Sequence, residues 1–249
     1  MLLSLRKVPR GPYLLVLLGA FSLLAAWAAI KPLDRAAWAL ENALVACALV
    51  VLFATYRWFP LSRISYGLIF LFLCLHEVGS HYTYEKVPYE AVFRSLTGLS
   101  VNGMLGWERN NYDRLVHLVY GLFLAYPIRE VVIRVGDLKG FWGYFLPLDV
   151  TMSTSMLYEL VEWGAAEVFG GGAGMAYLGV QGDPWDAHKD MLLASIGAAI
   201  AMGVTAAVNA CFQRDFAREW IESLRVKKRR PLGEEELARM KQAGKGSTP

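Results

Sequence analysis

The sequence predicts an all-α fold: a polytopic membrane helix bundle of about six transmembrane helices, with both termini cytoplasmic. Three observations carry this expectation. Hydrophobic residues make up 55% of the 249 residues and charged ones only 19%, too apolar for an ordinary soluble domain. Six apolar runs approach the length needed to cross a bilayer. Lys and Arg also fall unevenly on the two sides that those runs define.

The first run, 13–30, follows Arg6, Lys7 and Arg10. It is too long for the apolar core of a signal peptide and reads as a membrane helix. The second run, 36–56, has Glu41 and Asn42 near its start. The third, 64–78, ends in the segment Leu-His-Glu-Val-Gly-Ser-His-Tyr-Thr-Tyr at 75–84. The loop 82–111 is too long for a simple connection and is expected to fold over the bundle. The fourth run, 113–133, contains Pro127, expected to end or kink its helix near Tyr126. The fifth, 141–163, has Pro147 near its start and Thr151, Ser153, Thr154 and Ser155 in its middle. A glycine-rich turn at 170–174 precedes the sixth run, 189–212, whose Ala and Gly suit close helix packing in lipid. The domain reading is a transmembrane unit at 1–212 and a basic cytoplasmic tail at 213–249, helical in part and then disordered. Cys47, Cys74 and Cys211 each lie in an apolar run without metal-ligand spacing, so they read as small core residues.

With six crossings, one side collects 18 of the 25 Lys and Arg. By the positive-inside rule that side is cytoplasmic. The basic run Lys227 to Arg230 then faces the inner leaflet as a solvated charge run.

This topology sends all four histidines to the opposite side. His76 and His81 close the third helix, His117 lies one turn into the fourth, and His188 opens the sixth. Glu41, Asp113, Glu159, Glu162, Asp186 and Asp190 join them, whereas the other half of the bundle offers only Asp149 as a comparable carboxylate. Asp113 and His117 share a helix face, as do Asp186 and Asp190, and Ser155, Glu159 and Glu162 form one stripe. Imidazole and carboxylate at one depth is ligand chemistry for a divalent ion: zinc, manganese or iron. The candidate ligands are His76, His81, Asp113, His117, Asp186 and Asp190, with Glu159 and Glu162 as catalytic base or further ligands. The competing reading is structural: polar residues near a membrane interface also staple helices together. Arg109 and Arg114 can pair with the carboxylates or hold an anionic substrate. Tyr82, Tyr84, Tyr89, Trp107, Trp163 and Trp185 fit an interfacial aromatic belt.

Four segments carry a family resemblance: His76 to Tyr89 (HEVGSHYTYEKVPY), Asn111 to His117 (NYDRLVH), Tyr158 to Trp163 (YELVEW) and Tyr177 to Met191 (YLGVQGDPWDAHKDM). Across about residues 15–205 the chain resembles the bacterial inner-membrane YjdF family, an uncharacterised multi-pass membrane domain. The resemblance implies an inner-membrane, multi-helix protein and no activity. Glutamine is usual in that family where this chain has His188, which leaves His188 outside the core site.

Three functions stay open on the residues alone. One is a membrane hydrolase that uses a divalent ion at the outer face on an amphiphile, such as a lipid. Another is a transporter or ion-binding protein, and the third is a structural or partner-binding membrane protein. The bilayer is the expected partner, and nucleic acid is not.

Overall fold

The computed structural model describes residues 10–169, 181–227 and 231–245. The glycine-rich turn at 170–174, the first residues of the Tyr177–Met191 segment, Arg6, Lys7, the basic residues 228–230 and the end of the tail lie outside them. Among the described residues there are ten helices and no strand: α1 Arg10–Ala28, α2 Arg35–Thr55, α3 Arg63–His81, α4 Tyr89–Thr97, α5 Val101–Leu105, α6 Tyr112–Gly136, α7 Trp142–Phe169, α8 Asp186–Phe212, α9 Phe216–Ser223 and α10 Leu232–Lys245.

Five helices are long and apolar enough to cross a membrane: α1, α2, α3, α6 and α8. α7 is 28 residues long, carries Asp149, Glu159, Glu162 and Glu167, and lies against α6 and α8. Helix starts are set locally. Asp34 caps α2 by accepting from the amides of Ala36 and Ala37 at 2.8 and 3.0 Å, and Ser62 caps α3 through the Ser65 amide at 3.1 Å. α6 does not end near Tyr126 but runs through the buried Pro127 to Gly136. A proline inside a packed membrane helix is tolerated when neighbouring groups satisfy the freed backbone.

The crossing of α6 and α8 sets the register of the bundle. A Cβ on Gly121 would lie 1.9 Å from the Ala194 carbonyl oxygen, and one on Gly197 would lie 2.1 Å from that of Leu118. The two backbones therefore touch, as small residues permit in lipid. Gly121 is one turn from His117, and Ala194 is one turn from Asp190. Glycine and alanine at the crossing thus bring those two polar side chains side by side.

The long loop does fold over the bundle. It contributes α4 and α5, and its Tyr84 and Val87 are buried with Tyr112 and Val116 against Phe72, Leu75 and Val78. At the opposite, basic end, Asp149 is exposed. The engaged carboxylate there is Glu130, unremarked in the sequence. It accepts from the Ser62 amide at 2.9 Å, the Ser65 hydroxyl at 2.5 Å and Arg134 at 2.9 Å. The first part of the tail is bound to this end rather than detached. Phe216 and Trp220 of α9 stack near Tyr144, and Trp142 donates to the Ser223 carbonyl at 2.9 Å.

Candidate metal centre

Among the described residues, Asp113 and His117 on α6 and Asp190 on α8 form a group of ligand-type side chains. One donor atom from each lies within 4.8 Å of the other two. His117 Nε2 is 3.7 Å from Asp113 Oδ1 and 3.6 Å from Glu159 Oε1 on α7. Asp190 Oδ1 and Glu159 Oε1 are buried and accept no hydrogen bond. A buried carboxylate oxygen without a protein donor is costly, so both have the chemistry to take a cation or a proton. Around a four-coordinate ion with bonds of about 2.1 Å, neighbouring donors sit roughly 3.4 Å apart, so these side chains must draw in on binding. Two carboxylates and one imidazole suit a hard or borderline divalent ion.

His76 forms a second group beside the first. Its Nδ1 shares a 2.7 Å hydrogen bond with the Tyr84 hydroxyl, and its Nε2 lies 3.8 Å from Glu41 Oε2. Tyr158 donates to the same Glu41 oxygen at 2.9 Å. Tyr84 reaches His76 because the backbone turns sharply after α3. Thr83 and Tyr84 both take positive φ, at 56° and 52°. The Tyr84 ring then lies against Gly79, where a Cβ would meet it at 2.4 Å. Two non-glycine residues held in this region cost of order 1–3 kcal/mol each, a strain that functional sites often retain.

Members of both groups, His76 with Tyr84 and Tyr158 and Asp113 with His117, line one cavity of about 360 Å³, while Glu41, Glu159 and Asp190 stand behind them. His76, Tyr84, Asp113, His117 and Tyr158 form its polar end, and α2, α3, α6 and α7 give it apolar walls.

The other expected ligands stand elsewhere. His81 bonds Ala28 O through Nδ1 at 2.9 Å, and its ring stacks on Trp27 at 4.5 Å. It faces α1 because His81 lies on the face of α3 shared with Glu77, not with His76. Asp186 belongs to an ion cluster: Arg109 meets it at 2.8 Å and Arg114 at 3.2 Å. Arg114 and Lys189 both contact Asp183 at 2.5 Å. The Lys189 ammonium, with the Trp185 amide, holds Asp183 down at about 2. Arg109 and Arg114 are therefore partners of aspartates. Glu162 follows Glu159 by one turn on α7, beside Tyr158. His188 is exposed, with its ring 5.2 Å from that of Trp185.

Comparison with known proteins decides the family. Residues 13–210 match the family DUF2238, described as a predicted membrane protein. The chain belongs to this family. It is 38% identical over 178 residues to the inner membrane protein YjdF of Escherichia coli strain K12, covering 71% of this chain and 81% of that protein. No solved structure matches. The chain is a multi-pass membrane protein, and the relative places the family in the bacterial inner membrane.

Two contributors escaped the sequence pattern. Tyr84 looked like part of an aromatic belt, yet it is buried and bonded to His76. Nothing in its spacing reveals the turn that carries it back. Tyr158 was readable in principle, because it is one turn from Ser155 on the polar stripe of α7.

Proposed function

We propose that this family member is a metal-dependent membrane hydrolase acting on an amphiphile. The observation that carries the reading is the convergence of Asp113, His117 and Asp190, with a bond-free carboxylate oxygen of Glu159 near His117, where Asp113 and His117 line one end of a largely apolar cavity. A divalent ion held there would supply a nucleophilic water near neutral pH. Zinc, manganese and iron all suit the donor set.

The chain's own groups divide the remaining work. Asp113, His117 and Asp190 hold the ion. Glu159, next to His117, takes the proton of the attacking water, and Glu162 supports it from the following turn. Glu159 would then return that proton to the leaving oxygen, and His76, fixed by Tyr84 and facing the same cavity, would orient the leaving group. The hydroxide ends on the acyl or phosphoryl centre, and the leaving oxygen departs protonated. Positive-inside asymmetry puts this end of the bundle at the outer leaflet.

The test is hydrolysis of fluorogenic acyl esters and phosphoesters in detergent micelles. The reading expects turnover that a chelator abolishes, that a divalent ion restores, and that His117→Ala lowers by at least about a hundredfold. Turnover unchanged in His117→Ala, or none across both ester classes by the metal-loaded protein, would contradict it.

A further inference from the structure

The cavity lies behind two covers and one open seam. The loop-borne Tyr84 and Val87 cover it on the histidine end, and beyond them Arg109 and Arg114 are tied to Asp183 and Asp186. Its sides differ. α3 and α6 pack closely, and so do α6 and α7, but α2 leans mainly on α3 and has little backbone contact with α7. Leu44 of α2 and Leu157 and Val161 of α7 line the cavity and are also exposed, so they form the lips of a gap that faces lipid. A hydrogen bond of 2.9 Å from Tyr158 to Glu41 crosses that gap near the polar end.

The cavity is graded along the bundle axis. From His117 to Leu124 on α6 it extends for about 10 Å, roughly a third of the hydrocarbon thickness of a bilayer. Its titratable groups stand at one end, Tyr120 and Thr154 bonded to each other and Ser155 lie deeper, and leucine, valine and phenylalanine line most of the rest. An apolar cavity of this kind stays dry and binds hydrocarbon. Its volume is in the range of ligand pockets.

We propose that this cavity is a binding site for one hydrocarbon chain of a membrane amphiphile. The chain slides in sideways from the bilayer through the α2–α7 seam, and the Tyr158–Glu41 bond is its latch. The head-proximal third of the chain occupies the cavity, and the remainder stays in the leaflet. The linkage at the head then lies against Asp113 and His117. The site deepens the hydrolase reading and rests on it for what happens at the head. The occupancy of the chain does not depend on an ion.

The test uses the full-length protein in lipid nanodiscs with a diazirine-bearing palmitoyl lysophospholipid and a diazirine-bearing isoprenyl phosphate as separate probes. Peptide mapping is expected to find label on 44–48 of α2 and 154–161 of α7 with at least one probe, and which probe labels names the chain type. Ala48→Trp, which fills the cavity away from the polar groups, is expected to lower that label about tenfold, what losing roughly two buried methylenes is worth. Leu124→Trp at the floor is the second filling variant, should the first not fold. Tyr158→Phe removes the latch and is expected to raise the initial labelling rate about twofold or more, the scale of one modest hydrogen bond. Label spread evenly over the lipid-facing sides of α1 and α8, or unchanged by both filling variants, overturns the proposal. Metal content of the same samples scores the ion separately. Label on α2 and α7 in protein that binds no metal supports the chain site while removing the hydrolase reading.

Discussion

Half-buried Glu130 at the basic end and the pair Asp190 and Glu159 at the histidine end are treated in opposite ways. At the basic end Glu130 is saturated: a backbone amide, a serine hydroxyl and an arginine all donate to it. At the histidine end Asp190 and Glu159 each keep an oxygen buried without a donor, and His76 Nε2 is likewise without a hydrogen bond. A structural staple looks like Glu130, because buried charge persists only when its lone pairs are met. Open donors clustered around one point look like a site awaiting a ligand. The contrast is what a bound ligand at Asp190 and Glu159 would produce, and it gives the two readings different expected outcomes.

The largest expected effect comes from the element that builds the histidine end. Gly121→Leu forces a side chain into the Ala194 backbone. Overpacking at a backbone contact should lower stability by about 3 kcal/mol or more and separate His117 from Asp190. Thermal unfolding in detergent measures it, and a wild-type midpoint would show that the close crossing does not hold the bundle.

Next comes the contrast itself, tested as a pair. Glu130→Ala strands the Ser62 amide, the Ser65 hydroxyl and Arg134, and is expected to cost about 2 kcal/mol. Asp190→Asn removes charge from an oxygen that has no donor. In metal-free protein it should change stability by less than about 1 kcal/mol, or raise it, since the group it relieves is buried and unpaired. Unfolding midpoints with a chelator present decide the matter. If Asp190→Asn costs as much as Glu130→Ala, Asp190 is a staple and the contrast fails.

Much of the fold was legible because lipid enforces simple rules. Apolar length marked α1, α2, α3, α6 and α8, and charge asymmetry gathered the histidines at one end. Helical spacing rightly paired Asp113 with His117 and separated His76 from His81. What spacing could not show was contact between helices. That Asp190 faces His117 follows from the glycines at the α6–α8 crossing, a packing fact. Tyr84 depends on two left-handed residues after α3, which neither composition nor period announces. Asp186 had the same local pattern as Asp190, but it lies one turn nearer the helix start, within reach of Arg109 and Arg114. Asp149 drew notice as a lone carboxylate, whereas Glu130, between Arg129 and Arg134 at the end of the fourth run, did not.

The central claim is that Asp113, His117 and Asp190 hold a divalent ion. Elemental analysis of detergent-purified protein tests it most directly, with wild type beside His117→Ala, Asp113→Ala and Glu130→Ala. The account predicts near-stoichiometric zinc, manganese or iron in wild type and in folded Glu130→Ala, with a loss of at least about tenfold in the two site variants. Wild-type protein without bound metal after exposure to all three ions, or equal metal in His117→Ala, would contradict it.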